Sequence, residues 1–68
     1  MYKDKYPDLL AEMIKHDEHK EDLGKVLGIS YGAIQRRFNG KTKFSVDEAN
    51  KICEHYGKSY EELFRRKD

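Results

Sequence analysis

The chain has 68 residues, enough for one domain with a small core, because a chain of this size buries only about 60% of its unfolded surface. Charged residues make up 40% and apolar residues 37% of it, but the apolar ones recur at helical spacing, which argues against disorder. The lone cysteine, Cys53, excludes an internal disulfide framework and favours a reducing, cytoplasmic setting, and no apolar run approaches a membrane span or a signal-peptide core.

Residues 1–6 are polar and are expected to fray. Pro7 suits the first position of a helix, and Asp8 complements the dipole of its first turn. Leu9, Leu10, Met13 and Ile14 recur at helical spacing, which predicts a first helix over Pro7–His16, with Asp17 and Glu18 leading out. A second helix is predicted over Lys20–Leu27, with Leu23, Val26 and Leu27 on its apolar face. His19 is a poor N-cap for it. Gly24 costs this helix about 1 kcal/mol relative to Ala, which is explained if another helix packs against the backbone there.

Gly28 can take positive φ and end that helix. Ser30 is a strong N-cap for the next, and Ile29 and Ile34 have the spacing of a hydrophobic staple. A stop, an apolar residue and a restart within three positions make a helix-turn-helix. Its third helix is predicted over Tyr31–Asn39, closed by Asn39-Gly40. At about 100° per residue from Tyr31, Ile34 and Phe38 fall at about 300° and 340° and face the core. Tyr31, Gly32, Gln35, Arg36 and Asn39 form one exposed arc. Arg37, at about 240°, lies beside the core face, where its stem can pack while its head reaches out to solvent.

After the loop Lys41-Thr42-Lys43, Ser45 and Glu48 have capping-box spacing and start a fourth helix at Val46. Ala49, Ile52, Cys53 and Tyr56 supply its apolar face, and Gly57 ends it. Ser59 and Glu62 repeat the capping box for a short fifth helix anchored by Leu63 and Phe64, running out in Arg65-Arg66-Lys67-Asp68. No segment alternates with period two. The expected fold is a compact all-α, five-helix domain spanning residues 1–68, with its ordered core at about 7–64.

The net charge of +1 is distributed unevenly. Arg36, Arg37, Lys41 and Lys43 lie between positions 30 and 43 with no acid among them, whereas residues 1–29 sum to −2 and residues 44–68 to −1. A local basic excess on a helix and its following loop is the pattern of a phosphate-binding patch. A merely solvated charged face is the other reading of the same residues.

Leu23, the small Gly24, Leu27-Gly28-Ile29-Ser30, Ile34 and Asn39-Gly40-Lys41, followed by Phe44 to Ala49, Ile52 and Ser59 to Phe64, resemble the phage repressor/Cro-like helix-turn-helix family over about residues 7–64. The resemblance implies a lambda-repressor-like fold whose second motif helix, about residues 31–39, enters the major groove of double-stranded DNA. Carried over by position, Tyr31, Gly32 and Arg36 face the bases with Gln35 beside them. Lys20, Asn39, Lys41 and Lys43 occupy phosphate-contacting positions. The chain departs from the family at His19, where Ser or Thr is usual, at Gly24, often Ala, at Arg37, often aliphatic, and at Gly32, where relatives often carry a base-reading side chain.

Arg36 can donate two bonds to guanine O6 and N7, Gln35 can pair with adenine N6 and N7, and Tyr31 can reach a phosphate or pack against a thymine methyl. Enzyme chemistry has little support. His16 and His19, or Cys53 and His55, lack the convergence of a metal site, and no glycine-rich phosphate loop follows a strand. No cofactor, membrane or small-molecule ligand is implied. The expectation is a cytoplasmic transcriptional regulator of phage or mobile-element type that binds specific DNA sequences. A chain too short for a second dimerisation domain would dimerise weakly through its fourth and fifth helices, on DNA. The alternative is a protein-interaction module, antirepressor- or antitoxin-like. Gly32, the near-neutral charge and the acids Asp17, Glu18, Glu21 and Asp22 around Lys20 favour it.

Overall fold

The computed structural model describes residues 5–65. Five helices follow in order, α1 (Pro7–Lys15), α2 (Lys20–Leu27), α3 (Tyr31–Phe38), α4 (Val46–Tyr56) and α5 (Tyr60–Leu63), and the described residues contain no strand. The architecture is all-α, and α2, its turn and α3 form the helix-turn-helix. The predicted ends of the first and third helices each lie one residue too far: His16 and Asn39 are caps. Arg66, Lys67 and Asp68 lie outside the described residues, as do residues 1–4.

Local chemistry sets most of the boundaries. Ser30, Ser45 and Ser59 each accept the N–H of the residue three positions on, and Glu48 and Glu62 reach back to the amides of Ser45 and Ser59. Gly28 ends α2 at φ 73°. The Ile29 and Gly28 amides donate to the carbonyls of Gly24 and Lys25, the paired bonds of a Schellman stop. The same two bonds close α1, but there the left-handed residue is Asp17, at φ 55°. The weak cap expected at His19 is remedied from the other side, since its amide donates to the Asp22 carboxylate at 2.9 Å.

The helices share one apolar cluster that includes Leu9, Met13, Leu23, Leu27, Ile34, Phe38, Ile52, Tyr56 and Leu63. α2 packs against α3 and α4, and α1 against α5. Two expectations fail at the N-terminal end. Tyr6 does not fray. It is buried among Phe38, Phe44 and Phe64, with ring centroids 5.3–6.4 Å away at steep angles, an arrangement aromatic edges and faces favour. Ile14, apolar and at helical spacing, is 75% exposed, because it lines an open cleft between α1 and the helix-turn-helix. At Gly24 the close neighbour is not a helix but the turn itself: a Cβ there would lie 3.1 Å from the Ile29 carbonyl oxygen. The missing side chain lets the chain fold back tightly onto α2.

Candidate nucleic-acid interface

The arc predicted on the third helix is exposed at three of its five residues, and Asn39 at its end is half-buried. Tyr31 is 53% accessible, Gly32 and Arg36 are open to solvent, and Gln35 is half-buried. Ile34 and Phe38, on the opposite side, are fully buried and fix the rotation of α3.

Three of the candidate residues are joined in one chain of bonds. The Lys20 ammonium donates to Gln35 Oε1 at 3.2 Å, and Gln35 Nε2 donates to the Tyr31 hydroxyl at 3.0 Å. Lys20 also stands 5.1 Å from the centroid of the Phe38 ring, a favourable place for a cation. The start of α2 is thereby tied to the outer face of α3. Arg36 lies on the other flank. Its guanidinium turns back along the helix, as helical side chains do, and its Nη1 sits 3.7 Å from where a Gly32 side chain would begin. The gap at Gly32 is thus covered by Arg36.

Asn39 does not project as a separate contact. Its Oδ1 accepts the Lys41 amide at 3.2 Å, and the Lys41 and Thr42 amides both donate to the Arg36 carbonyl. These bonds curl the loop against the end of α3 and leave the Lys41 and Lys43 side chains exposed beside it. Arg37, expected to reach for solvent, is instead turned inward. It makes two bonds to Glu48, at 2.9 and 3.0 Å, and a third to the Ala33 carbonyl. It is therefore a brace between α3 and α4. Its place beside the core face was the available signal, but its partner, eleven residues on, was not legible from spacing.

The acids near Lys20 divide into two kinds. Asp22 caps His19, and Glu18 accepts from the Tyr56 hydroxyl at 2.7 Å and from His55 at 3.1 Å. The Tyr56 hydroxyl, above all, holds the Glu18 carboxyl below its usual range against the opposing effect of burial, with His55 adding to it. Burial and that same carboxylate push Tyr56 well above the ordinary phenol range. Asp17 and Glu21 are exposed. His16 binds Glu12 at 3.0 Å, and burial raises the half-buried Cys53 thiol. Among the described residues no three His, Cys, Asp or Glu converge where a metal could be held, and no helix is long and apolar enough to cross a membrane.

A bent helix pair, a solvent-facing second helix and a basic loop at its end define a DNA-binding helix-turn-helix. The helix-turn-helix family model matches residues 19–63, from the cap of α2 through α5, and the chain belongs to that family of DNA-binding transcription regulators. No curated protein and no solved structure matches the chain.

Proposed function

We propose that this protein binds specific sequences of duplex DNA as a transcriptional regulator of phage or mobile-element type, acting by binding rather than catalysis, in the cytoplasm. The observation that carries the reading is the pairing of an exposed α3 face, bearing Tyr31, Gln35 and Arg36, with the exposed Lys41 and Lys43 at its end. With α3 in the major groove, Arg36, lying over Gly32, addresses guanine, and Gln35 and Tyr31 address the neighbouring step. Lys20 and the Asn39–Lys43 loop meet the phosphates on either side. Residues 1–68 act as one binding unit. Dimerisation on DNA uses the α4–α5 side, where Val46 and Tyr60 are 77% and 60% exposed.

Selection from random duplexes, followed by salt titration, tests the reading. A recovered motif, lost in Arg36→Ala, is expected. Lys41→Ala with Lys43→Ala should weaken binding to all sequences and reduce the salt slope by about 0.9 per phosphate contact removed. No mobility shift of any duplex at low salt would sink it.

One observation favours the second reading, a protein-interaction module. A cleft of about 460 Å³ between α1 and the motif is lined by Leu10, Met13, Ile14 and Tyr31 and rimmed by Glu18 and Glu21. His19 and Lys20 also line it, so Glu18 and Glu21 make it mixed in charge, and its apolar floor suits an apolar protein segment that carries a basic residue. Occupancy there would compete with DNA for Tyr31.

A further inference from the structure

We infer that Lys5 belongs to the DNA interface as a phosphate contact, seated on the basic loop by Gly40; the inference rests on the DNA-binding reading above. Sequence position places Lys5 in a polar lead-in segment, far from the motif. The fold brings it to the end of α3. Its amide donates to the Phe38 carbonyl at 2.8 Å, and the next residue, Tyr6, is buried in the aromatic cluster. The backbone of Lys5 is therefore held on both sides.

Its side chain then runs across Gly40. A Cβ at Gly40 would stand 3.0 Å from Lys5 Cγ and 3.2 Å from Cε. Gly40 does two jobs: it adopts φ 85°, which turns the loop, and it leaves the groove in which the Lys5 stem lies. The ammonium is one bond, about 1.5 Å, beyond Cε. That places its charge beside the residue between Asn39 and Lys41, on a segment whose exposed cations are Arg36, Lys41 and Lys43, Arg37 being paired inward with Glu48. Gathering like charges there raises the free energy of the unbound protein, and a phosphate between them relieves it. A lysine stem can also cover a glycine for packing alone, so the test must separate charge from stem.

Lys5→Met keeps a straight stem and removes the charge. The full-length protein and its variants would be titrated with a fluorescent duplex over a salt series, with helicity and thermal midpoint followed in parallel. The expected result for Lys5→Met is a slope of log K against log salt reduced by about 0.9, weaker binding to unrelated duplexes alike, and an unchanged thermal midpoint. Lys5→Arg should restore the slope. A slope unchanged in Lys5→Met while Lys41→Ala lowers it overturns the assignment and leaves the DNA reading intact. An equal loss in Lys51→Met, on the exposed side of α4, also overturns it. Absence of any duplex binding by the unaltered protein removes both.

Discussion

Arg37 reaches from α3 to the first turn of α4 and grips Glu48 with two parallel bonds, Nε to Oε1 at 2.9 Å and Nη2 to Oε2 at 3.0 Å. The same carboxylate accepts the Ser45 amide at 3.0 Å. One side chain therefore caps α4 and fixes the helix that carries the proposed DNA face. Both partners are only 16% exposed, so solvent screens the pair weakly. Arg37→Ala should destabilise the fold by about 1–3 kcal/mol, the range for hydrogen bonds to charged groups. Arg37→Lys should recover little, because an ammonium cannot make the paired contact. Urea denaturation of both single variants and the double variant measures the coupling; strict additivity would show that the pair contributes nothing.

Acid should weaken the protein through three carboxylates, the half-buried Glu48 and Glu18 and the exposed Glu62, which the Ser59 amide and hydroxyl hold below its ordinary value. Burial raises the pKa of Glu48, but the Arg37 guanidinium and Ser45 outweigh it and leave the group below its ordinary 4.5. Glu18 is also held below 4.5, chiefly by Tyr56. A carboxylate depressed in the folded state adds stability that is complete above its unfolded pKa and drains away as pH falls through the folded value. The urea midpoint should therefore begin to fall near pH 4.5 and keep falling below it. Combining Glu48→Gln with Tyr56→Phe should lower stability at neutral pH and make this acid loss shallower. An equally steep loss in the double variant would assign the acid sensitivity to other groups.

Asp17 is the only non-glycine residue with positive φ among those described. It occupies the place that Gly28 and Gly57 take at the ends of α2 and α4. The left-handed conformation costs an L-residue roughly 1–2 kcal/mol, less for Asp, and glycine nothing sterically. Asp17→Gly should therefore stabilise by up to about 1 kcal/mol after the entropy that glycine loses on folding. Thermal melting checks the sign, and a lower midpoint would mean that the Asp17 side chain makes a compensating contribution.

What could be read in advance was what neighbours along the chain decide. Ser30, Ser45 and Ser59 cap, and Gly28 and Gly57 stop, through bonds spanning three to five residues. The rotation of α3 follows from Ile34 and Phe38 alone, so its outward face was legible too. What could not be read depends on distant partners. Tyr6 is buried by rings at 38, 44 and 64, and Ile14 is exposed because no helix covers it. Arg37 turns inward for a carboxylate in the next helix, and Lys20 meets Gln35 across the turn. Gly24 shows the boundary between the two cases: its smallness signalled a close approach, but which atom approaches is a matter of tertiary geometry.

That approach predicts a size-dependent response at Gly24. A Cβ would lie 3.1 Å from the Ile29 carbonyl oxygen, a squeeze of a few tenths of an ångström that the turn must absorb. Gly24→Ala gains about 1 kcal/mol of helix propensity, which offsets the squeeze, so its melting midpoint should stay close to that of the unaltered protein. Gly24→Val adds two further methyls against the same backbone and should destabilise by about 1–3 kcal/mol, as overpacking does. If valine is tolerated as well as alanine, the turn is looser than this contact implies.

The Lys20–Gln35–Tyr31 chain predicts how the DNA face responds to mutation. Gln35 uses the carbonyl and the amide ends of its side chain within the protein, at 3.2 and 3.0 Å. Those are the same two groups that would pair with adenine, the carbonyl accepting from N6 and the amide donating to N7. Reading a base through Gln35 therefore means giving up both internal bonds, whereas keeping them makes Gln35 a bridge that orients Lys20 and Tyr31. If the bridge persists on DNA, Gln35→Ala and Tyr31→Phe remove the same interaction. The double variant should then bind about as well as Gln35→Ala alone, with a coupling of at least about 0.5 kcal/mol. Losses that add, together with a relaxed preference at one adenine in Gln35→Ala, would instead show that the bridge opens and the amide turns to the base. Affinities of the four proteins for one selected duplex and its single-base variants decide between the two, because only a base-reading amide makes the loss depend on which base is changed.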